Sequence, residues 1–320
     1  MEMNVFTYSA VAVILLLLEL LYFKIARKYG IVDTPNFRSS HTHITLRGGG
    51  IIFYIGMLVW FIISKGAYPW FFAGVSIVST LCLVDDIHPL APAIRFPIQL
   101  ISILIMFVQM GFMQPELWWF IPIALFFFAG VINVINFMDG INGMTAGYAF
   151  VALATLAYVN EHIVSFTDMR LIVIALLSVA VFAIFNFRKK AVCFAGDVGS
   201  VSMAFLLMFL IGTLMWTTGD FSWITLLVVY GVDGVLTIFH RIMLKERITE
   251  AHRKHAYQLM ANELHIPHTV VSAVYMALQL VINFCYLLHP GYLTLILAVV
   301  VLSIAYIVFM KKYFHLHQLQ

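Results

Sequence analysis

Four short polar stretches interrupt an otherwise apolar chain, and they carry the side chains that could do chemistry. The first is Asp85-Asp86, followed by Ile87-His88-Pro89. Adjacent carboxylates at the end of an apolar run repel each other and lose hydration unless a cation or partner offsets both. Such a pair suits phosphate transfer or a hard cation such as Mg²⁺, which takes oxygen ligands and keeps waters for substrate phosphates. The plain alternative is a solvated helix end.

The second stretch runs from Asn133 to Gly143 and contains Asn136, Asp139 and Asn142. Spaced by three, these would lie along one side of a helix. Gly140 and Gly143 instead suggest a break into a turn, and irregular backbone at a membrane is tolerated only where it lines a cavity or is covered by protein. An ordinary Asp-Gly turn is the bland reading. The third, Gly196-Asp197-Val198-Gly199-Ser200, opens a helix just after Arg188-Lys189-Lys190. A helix N-terminus offers free N–H groups and a positive dipole end to an anion, although Asp197 could equally cap the helix.

The fourth spans 250–258 and includes His252, Arg253, Lys254 and His255. These donors suit phosphate or sugar hydroxyls; a basic amphipathic helix resting on anionic lipid would look similar. A further basic, glycine-ended stretch from Arg38 through Arg47-Gly48-Gly49-Gly50 sits at the inner end of the second helix, where the plain alternative is positive-inside anchoring alone. Glu19 lies within the first apolar run, where snorkelling or pairing with Lys24 accounts for it. The cysteines Cys82, Cys193 and Cys285 have no paired spacing and suit apolar packing.

The elements that position these motifs are membrane helices. The 320 residues are 63% hydrophobic and 10% charged, with mean hydropathy +0.99. A soluble domain carries about 25% charged residues, so a water-soluble core is excluded. Apolar stretches near 5–23, 50–64, 68–84, 95–113, 117–135, 144–160, 169–186, 201–218, 223–240, 269–288 and 292–310 predict about eleven transmembrane helices in one domain, 1–320. The first run has Glu2 before it and basic residues after it, so it reads as a retained helix rather than a signal peptide.

Of the 18 Lys and Arg residues, sixteen fall in one set of alternate connections, and the other set has Lys65 and Arg170. The positive-inside rule then puts the N-terminus outside and the C-terminus in the cytoplasm. The same alternation sends Asp33, Asp85, Asp86, Asp139, Asp197, Asp233, Glu246, Glu250 and Glu263 to the cytoplasmic side. One missed helix would scramble this sorting, so its coherence supports the helix count.

Taken in order, these motifs resemble the polyprenyl-phosphate N-acetylhexosamine-1-phosphate transferases, over roughly residues 5–310. The carriers are Asp85-Asp86, the Asn-x-x-Asp-Gly-x-Asn-Gly run from Asn136 to Gly143, Gly196 to Ser200, and the His/Arg loop. The resemblance implies an all-α polytopic enzyme of the cell inner (plasma) membrane, with its active site facing the cytoplasm. It would move an N-acetylhexosamine 1-phosphate from a UDP-sugar to polyprenyl phosphate, releasing UMP and starting cell-surface polysaccharide synthesis. It implies Mg²⁺, with Mn²⁺ as a substitute, held by Asp197 and Asn136. Asp85 and Asp86 would position or deprotonate the lipid phosphate. Asn142 and Asp139 would meet the nucleotide, and Arg95, His252, Arg253 and His255 the phosphate and sugar. The implied partners are the UDP-sugar, polyprenyl phosphate and the bilayer, with no nucleic acid; a homodimer is compatible.

Two features depart from the family pattern. Thr45-Leu46-Arg47-Gly48-Gly49 replaces a Thr-Pro-Arg-Gly-Gly-like sequence, which leaves the backbone there freer. The stretch 250–258 differs from the histidine run of the peptidoglycan branch and looks more like the O-antigen branch, which favours UDP-GlcNAc or a related 2-acetamido sugar. Rival classes are less well served. A transporter or flippase needs charge near the midplane and usually internal repeats, and a CDP-alcohol phosphotransferase needs its aspartates in one compact helical motif.

Overall fold

The computed structural model describes residues 3–35, 40, 43–246 and 253–313. Among the described residues, eleven helices of at least 13 residues occupy the apolar stretches. They are α1 Val5–Tyr29, α2 Ile51–Ile63, α3 Pro69–Ile87, α4 Pro92–Met110, α5 Ile121–Phe137 and α6 Met144–His162. The rest are α7 Met169–Asn186, α8 Gly196–Thr218, α9 Val228–Met243, α11 His268–Leu288 and α12 Tyr292–Tyr313, with a single-turn α10, Ala256–Gln258. Eight segments are long and apolar enough to cross a membrane, α9 being counted with the turn before it. The chain is an all-α, polytopic membrane protein. α2 and α5 are apolar but shorter, at 13 and 17 residues.

The centre of the bundle is α8. It is apolar on every side, and residues 198–212 are buried without a break, as expected for a helix with no polar face. α2, α3, α4, α5 and α6 pack around it. Gly50, before α2, and Gly199, in the first turn of α8, touch backbone to backbone: a Cβ on either would come within 2.4–2.5 Å of the other's Cα. α12 is the opposite case, with Leu293, Ile296, Val301, Ile304 and Val308 exposed. Such an apolar surface suits contact with lipid rather than water.

Three local features differ from the sequence expectation. α8 begins at Gly196 rather than near 201. The helix expected over 223–240 is broken, with a 3₁₀ segment, Phe221–Leu227, preceding α9. Backbone groups freed inside an apolar bundle need partners, and Gln279 of α11 supplies both. Its Nε2 donates to the Thr225 carbonyl at 2.9 Å and its Oε1 accepts the Val229 amide at 3.1 Å.

The third difference is a two-stranded ladder, β1 Val32–Asp33 with β2 Thr45–Leu46. Past it, the Phe194 amide donates to the Leu46 carbonyl (2.8 Å), and the amides of Gly49 and Gly50 donate to Phe194 and Ala195 (2.9 and 3.0 Å). That lacing fixes the segment whose missing proline frees its backbone. Glu19 does not snorkel or pair with Lys24. It is fully buried, with the Cys193 thiol 3.8 Å from its Oε1, because α1 continues to Tyr29 and turns this face toward the 193–195 segment.

Candidate active site

The last turn of α3 delivers Asp85 and Asp86 to the N-terminus of α8. Asp86 accepts the backbone amides of Asp197 and Val198, each at 3.0 Å, and the Nε of Arg47 at 2.6 Å. Free N–H groups at a helix start attract an anion, and the anion here is Asp86. Asp197 is therefore not the cap. Its carboxylate turns away to Arg95, with Nη2 2.8 Å from Oδ2, and lies 3.9 Å from Arg47 Nη2. Gly196 makes the arrangement feasible. Its φ is +70°, in the left-handed region, and a Cβ there would lie 2.5 Å from Asp86 Oδ2 and 2.9 Å from Gly48.

Arg95 forks between two acids, with Nη1 2.8 Å from Asp85 Oδ2 and Nη2 on Asp197. The other oxygen of Asp85 accepts the Leu90 amide at 2.7 Å. Three carboxylates thus face two guanidiniums. Arg47 is held from behind by the Tyr22 hydroxyl, which donates to its carbonyl at 2.7 Å. Burial alone would lower the pKa of Arg47; Asp86 and Asp197 outweigh it and hold the guanidinium charged.

Beside this cluster lies a cavity of about 240 Å³ whose walls include Arg47, Asn136, Asp139, Asn142, Asp197 and Gln258. α5 ends at Phe137 and residues 138–143 form a turn, so the turn reading of the second motif is the one realised. Asn136 Oδ1 accepts the Ser200 hydroxyl. Asn142 Nδ2 donates to the carbonyls of Arg188 and Lys189 at 2.9 and 3.2 Å, and its buried Oδ1 has no hydrogen-bond partner. Asp139 accepts the Thr145 hydroxyl at 2.5 Å. Burial pushes its carboxyl up to about 7 against the pull of that hydroxyl, and the charges of Asp197 and Asp86 push the same way.

A family model described as glycosyl transferase family 4 matches residues 68–215, which contain the two aspartate motifs and the Asn/Asp turn. A Bacillus subtilis (strain 168) protein named "Probable undecaprenyl-phosphate N-acetylglucosaminyl 1-phosphate transferase" is 30% identical over 263 residues, 74% of this chain and 72% of that protein. The chain belongs to glycosyl transferase family 4. An Escherichia coli (strain K12) protein named "Undecaprenyl-phosphate alpha-N-acetylglucosaminyl 1-phosphate transferase" is 24% identical over 305 residues, 87% of this chain and 80% of that one. The match to the "Phospho-N-acetylmuramoyl-pentapeptide-transferase" of Enterococcus hirae is confined to 84 residues, 26% of each chain, at 33% identity.

In this member of glycosyl transferase family 4, the fourth motif reaches the cavity through its last residue, Gln258. His252 lies outside the described residues. Arg253 pairs with Glu263 at 2.9 Å. The ring of His255 is buried 3.2 Å from Asp233. Neither Arg253 nor His255 is among the lining residues of the cavity, whereas Gln258 and His268 are. Sequence reasoning also missed Arg47 and Ser200. The signal for Arg47 was its place before three glycines, a run that only a close backbone approach requires. Ser200 sits one helical turn after Gly196, which puts it beside Asn136.

Proposed function

We propose that the chain transfers an N-acetylhexosamine 1-phosphate, most simply GlcNAc 1-phosphate, from a UDP-sugar to polyprenyl phosphate. The observation that carries this reading is the convergence of Asp85, Asp86 and Asp197 with Arg47 and Arg95 beside a cavity walled by Asn136, Asp139 and Asn142. The names of the Bacillus and Escherichia relatives support the same acceptor and sugar.

In this reading an oxygen of the lipid phosphate attacks the sugar-bearing phosphorus of the nucleotide. The P–O bond to the inner phosphate breaks, and UMP leaves with the bridging oxygen. One P–O bond replaces another, so catalysis is mainly positioning and charge neutralisation. Arg47 and Arg95 supply positive charge for the phosphates. Asp86, whose oxygens are taken by α8 and Arg47, positions those groups, and Asp85 acts beside the lipid phosphate while orienting Arg95. Asn142 offers its unpartnered Oδ1 to the nucleotide, and Asp139 flanks it.

Asp197 and Asn136 would hold Mg²⁺, for which Mn²⁺ could substitute. Their donors are hard oxygens, and the cluster sets three carboxyl groups against two guanidiniums. Bound there, the ion would neutralise the diphosphate and ease the departure of UMP. Among the described residues no group of three His, Cys, Asp or Glu side chains could cage a metal, which suits an ion that keeps waters and substrate phosphates as ligands.

The same reading sets all eleven long helices across the plasma (inner) membrane, with the N-terminus outside and the site at the cytoplasmic face. Its support is the sixteen-to-two division of Lys and Arg and the need for a soluble nucleotide to meet a lipid phosphate at the membrane edge. The test is a panel of UDP-sugars given to purified protein with polyprenyl phosphate and Mg²⁺. UMP is expected from a UDP-N-acetylhexosamine; release from none of the panel would sink the proposal.

A further inference from the structure

Asp233 is buried in α9 and lies outside the walls of the cavity. A carboxylate inside an apolar bundle persists only where it is well partnered, and this one has four partners. Oδ1 lies 3.2 Å from the ring Nδ1 of His255 and accepts the Ala256 amide at 3.2 Å and the Thr237 hydroxyl at 3.1 Å. Oδ2 accepts the Tyr275 hydroxyl at 2.5 Å. The Tyr306 hydroxyl of α12 joins that of Thr237 at 2.9 Å. One carboxylate therefore ties α9, α11 and α12 to the turn 255–258.

That turn forms part of the cavity wall. The His255 amide donates to Gln258 Oε1 at 3.3 Å, and Gln258 lines the cavity. The Tyr257 hydroxyl donates to the Phe137 carbonyl at 2.8 Å and sits 2.2 Å from where a Cβ on Gly140 would be. Gly140 is itself a lining residue. From the same face of α11 that supplies Tyr275, Ser272 donates to the Asn142 carbonyl at 2.8 Å. An apolar anchor would bury the turn as well, but a carboxylate taking a main-chain amide and a ring nitrogen together also fixes its direction.

We propose that Asp233 is a positioning residue for the transfer, holding turn 255–258 against loop 138–143 so that Gln258 meets the nucleotide sugar. This rests on the transferase reading. It follows that Asp233 governs binding of the nucleotide sugar and not of the lipid phosphate, whose neighbours are Asp85 and Arg95. It also follows that its effect reaches the site through the main chain of the turn.

The experiment compares wild type, Asp233→Asn, Tyr275→Phe and the double variant, measuring KM for UDP-GlcNAc and for undecaprenyl phosphate separately, with amide hydrogen exchange on the same samples. Asp233→Asn is expected to raise KM for UDP-GlcNAc tenfold or more and to leave KM for the lipid within twofold. Tyr275→Phe should give a smaller rise, and the double variant no more than Asp233→Asn alone. Amides of 255–263 should exchange faster in Asp233→Asn, while those of α6 to α8 keep their protection. If Asp233→Asn does not fold, Tyr275→Phe carries the same comparison. Equal rises in both KM values, an unchanged KM for UDP-GlcNAc, or activity lost only in step with folded protein would overturn the proposal. Should wild type release no UMP, the transferase reading fails by itself, and exchange at 255–263 decides whether Asp233 holds the turn.

Discussion

Asp86 accepts the backbone amide of Asp197 at 3.0 Å across 111 residues of chain, and does the same for Val198. This contact makes α8 start where it does and sends the Asp197 carboxylate into the cavity. Asp86 therefore caps α8 with two main-chain contacts, whereas Asp85 accepts the Leu90 amide beyond its own helix. Both Asp86→Asn and Asp85→Asn should lower UMP release by about 10²-fold, the scale of losing one preorganised charge-stabilising group. Asp86→Ala should in addition lower stability by about 1–2 kcal/mol more than Asp85→Ala does, the cost of a lost helix cap. Thermal unfolding in detergent separates the two, and equal melting of both alanine variants would count against the cap.

Part of the site was legible in the sequence and part was not, for one physical reason. Asp85, Asp86, Asn136, Asp139, Asn142 and Asp197 stand out because polar side chains are costly beside apolar runs. Their number, type and order along the chain needed no coordinates. What links them is long-range. α8 opens at the Gly196 motif through a cap that comes from α3, and the carboxylate that Arg47 meets there is 39 residues along the chain. His255 lies 3.2 Å from a helix acid 22 residues earlier, and no local pattern announces that pairing. The helices themselves were read closely, since each is written in a continuous apolar stretch; the break before α9 was missed because Gln279, from α11, makes it tolerable.

Gly196 permits the approach of Asp86 to α8. Gly196→Ala should therefore cost about 1–3 kcal/mol of stability, the usual scale for a residue forced into a left-handed conformation, with most activity lost. Gly130→Ala is the control, because no atom lies within 4 Å of the Cβ it would add. Melting and UMP release measured on both should separate them clearly; indistinguishable variants would mean that the Gly196 contact has been misread.

The two terminal nitrogens of Arg95 serve different carboxylates, Asp85 and Asp197. An ammonium is a single point charge and cannot keep that fork. Arg95→Lys should lose turnover by about 10- to 100-fold, as expected for one charge-assisted hydrogen bond of about 1.5–3 kcal/mol. Arg47→Gln should lose at least as much, because it also uncovers Asp86. Full activity in Arg95→Lys would show that the fork has no role in turnover.

Asp168, at the start of α7, supplies a pH test remote from the site. Burial would raise its pKa, but hydrogen bonds from Arg170 and Trp60 outweigh this and lower it. A carboxylate with a depressed folded pKa contributes stability above its unfolded value near 3.8, and that contribution is lost as pH falls through the folded value. Asp168→Asn should therefore melt below wild type at pH 7, and the gap should close toward pH 3. Turnover by the folded variant should be unchanged. A gap that stayed constant with pH would assign the difference to packing rather than charge.

In the proposed reaction the sugar-bearing phosphorus passes from nucleotide to lipid. The direct measurement uses UDP-GlcNAc labelled with ³²P at that phosphorus, together with undecaprenyl phosphate and Mg²⁺. Label is expected in the organic-soluble lipid and none in the UMP released, with both products lost in Asp197→Asn. Label that remains in a water-soluble nucleotide, or a lipid that gains sugar without label, would contradict it.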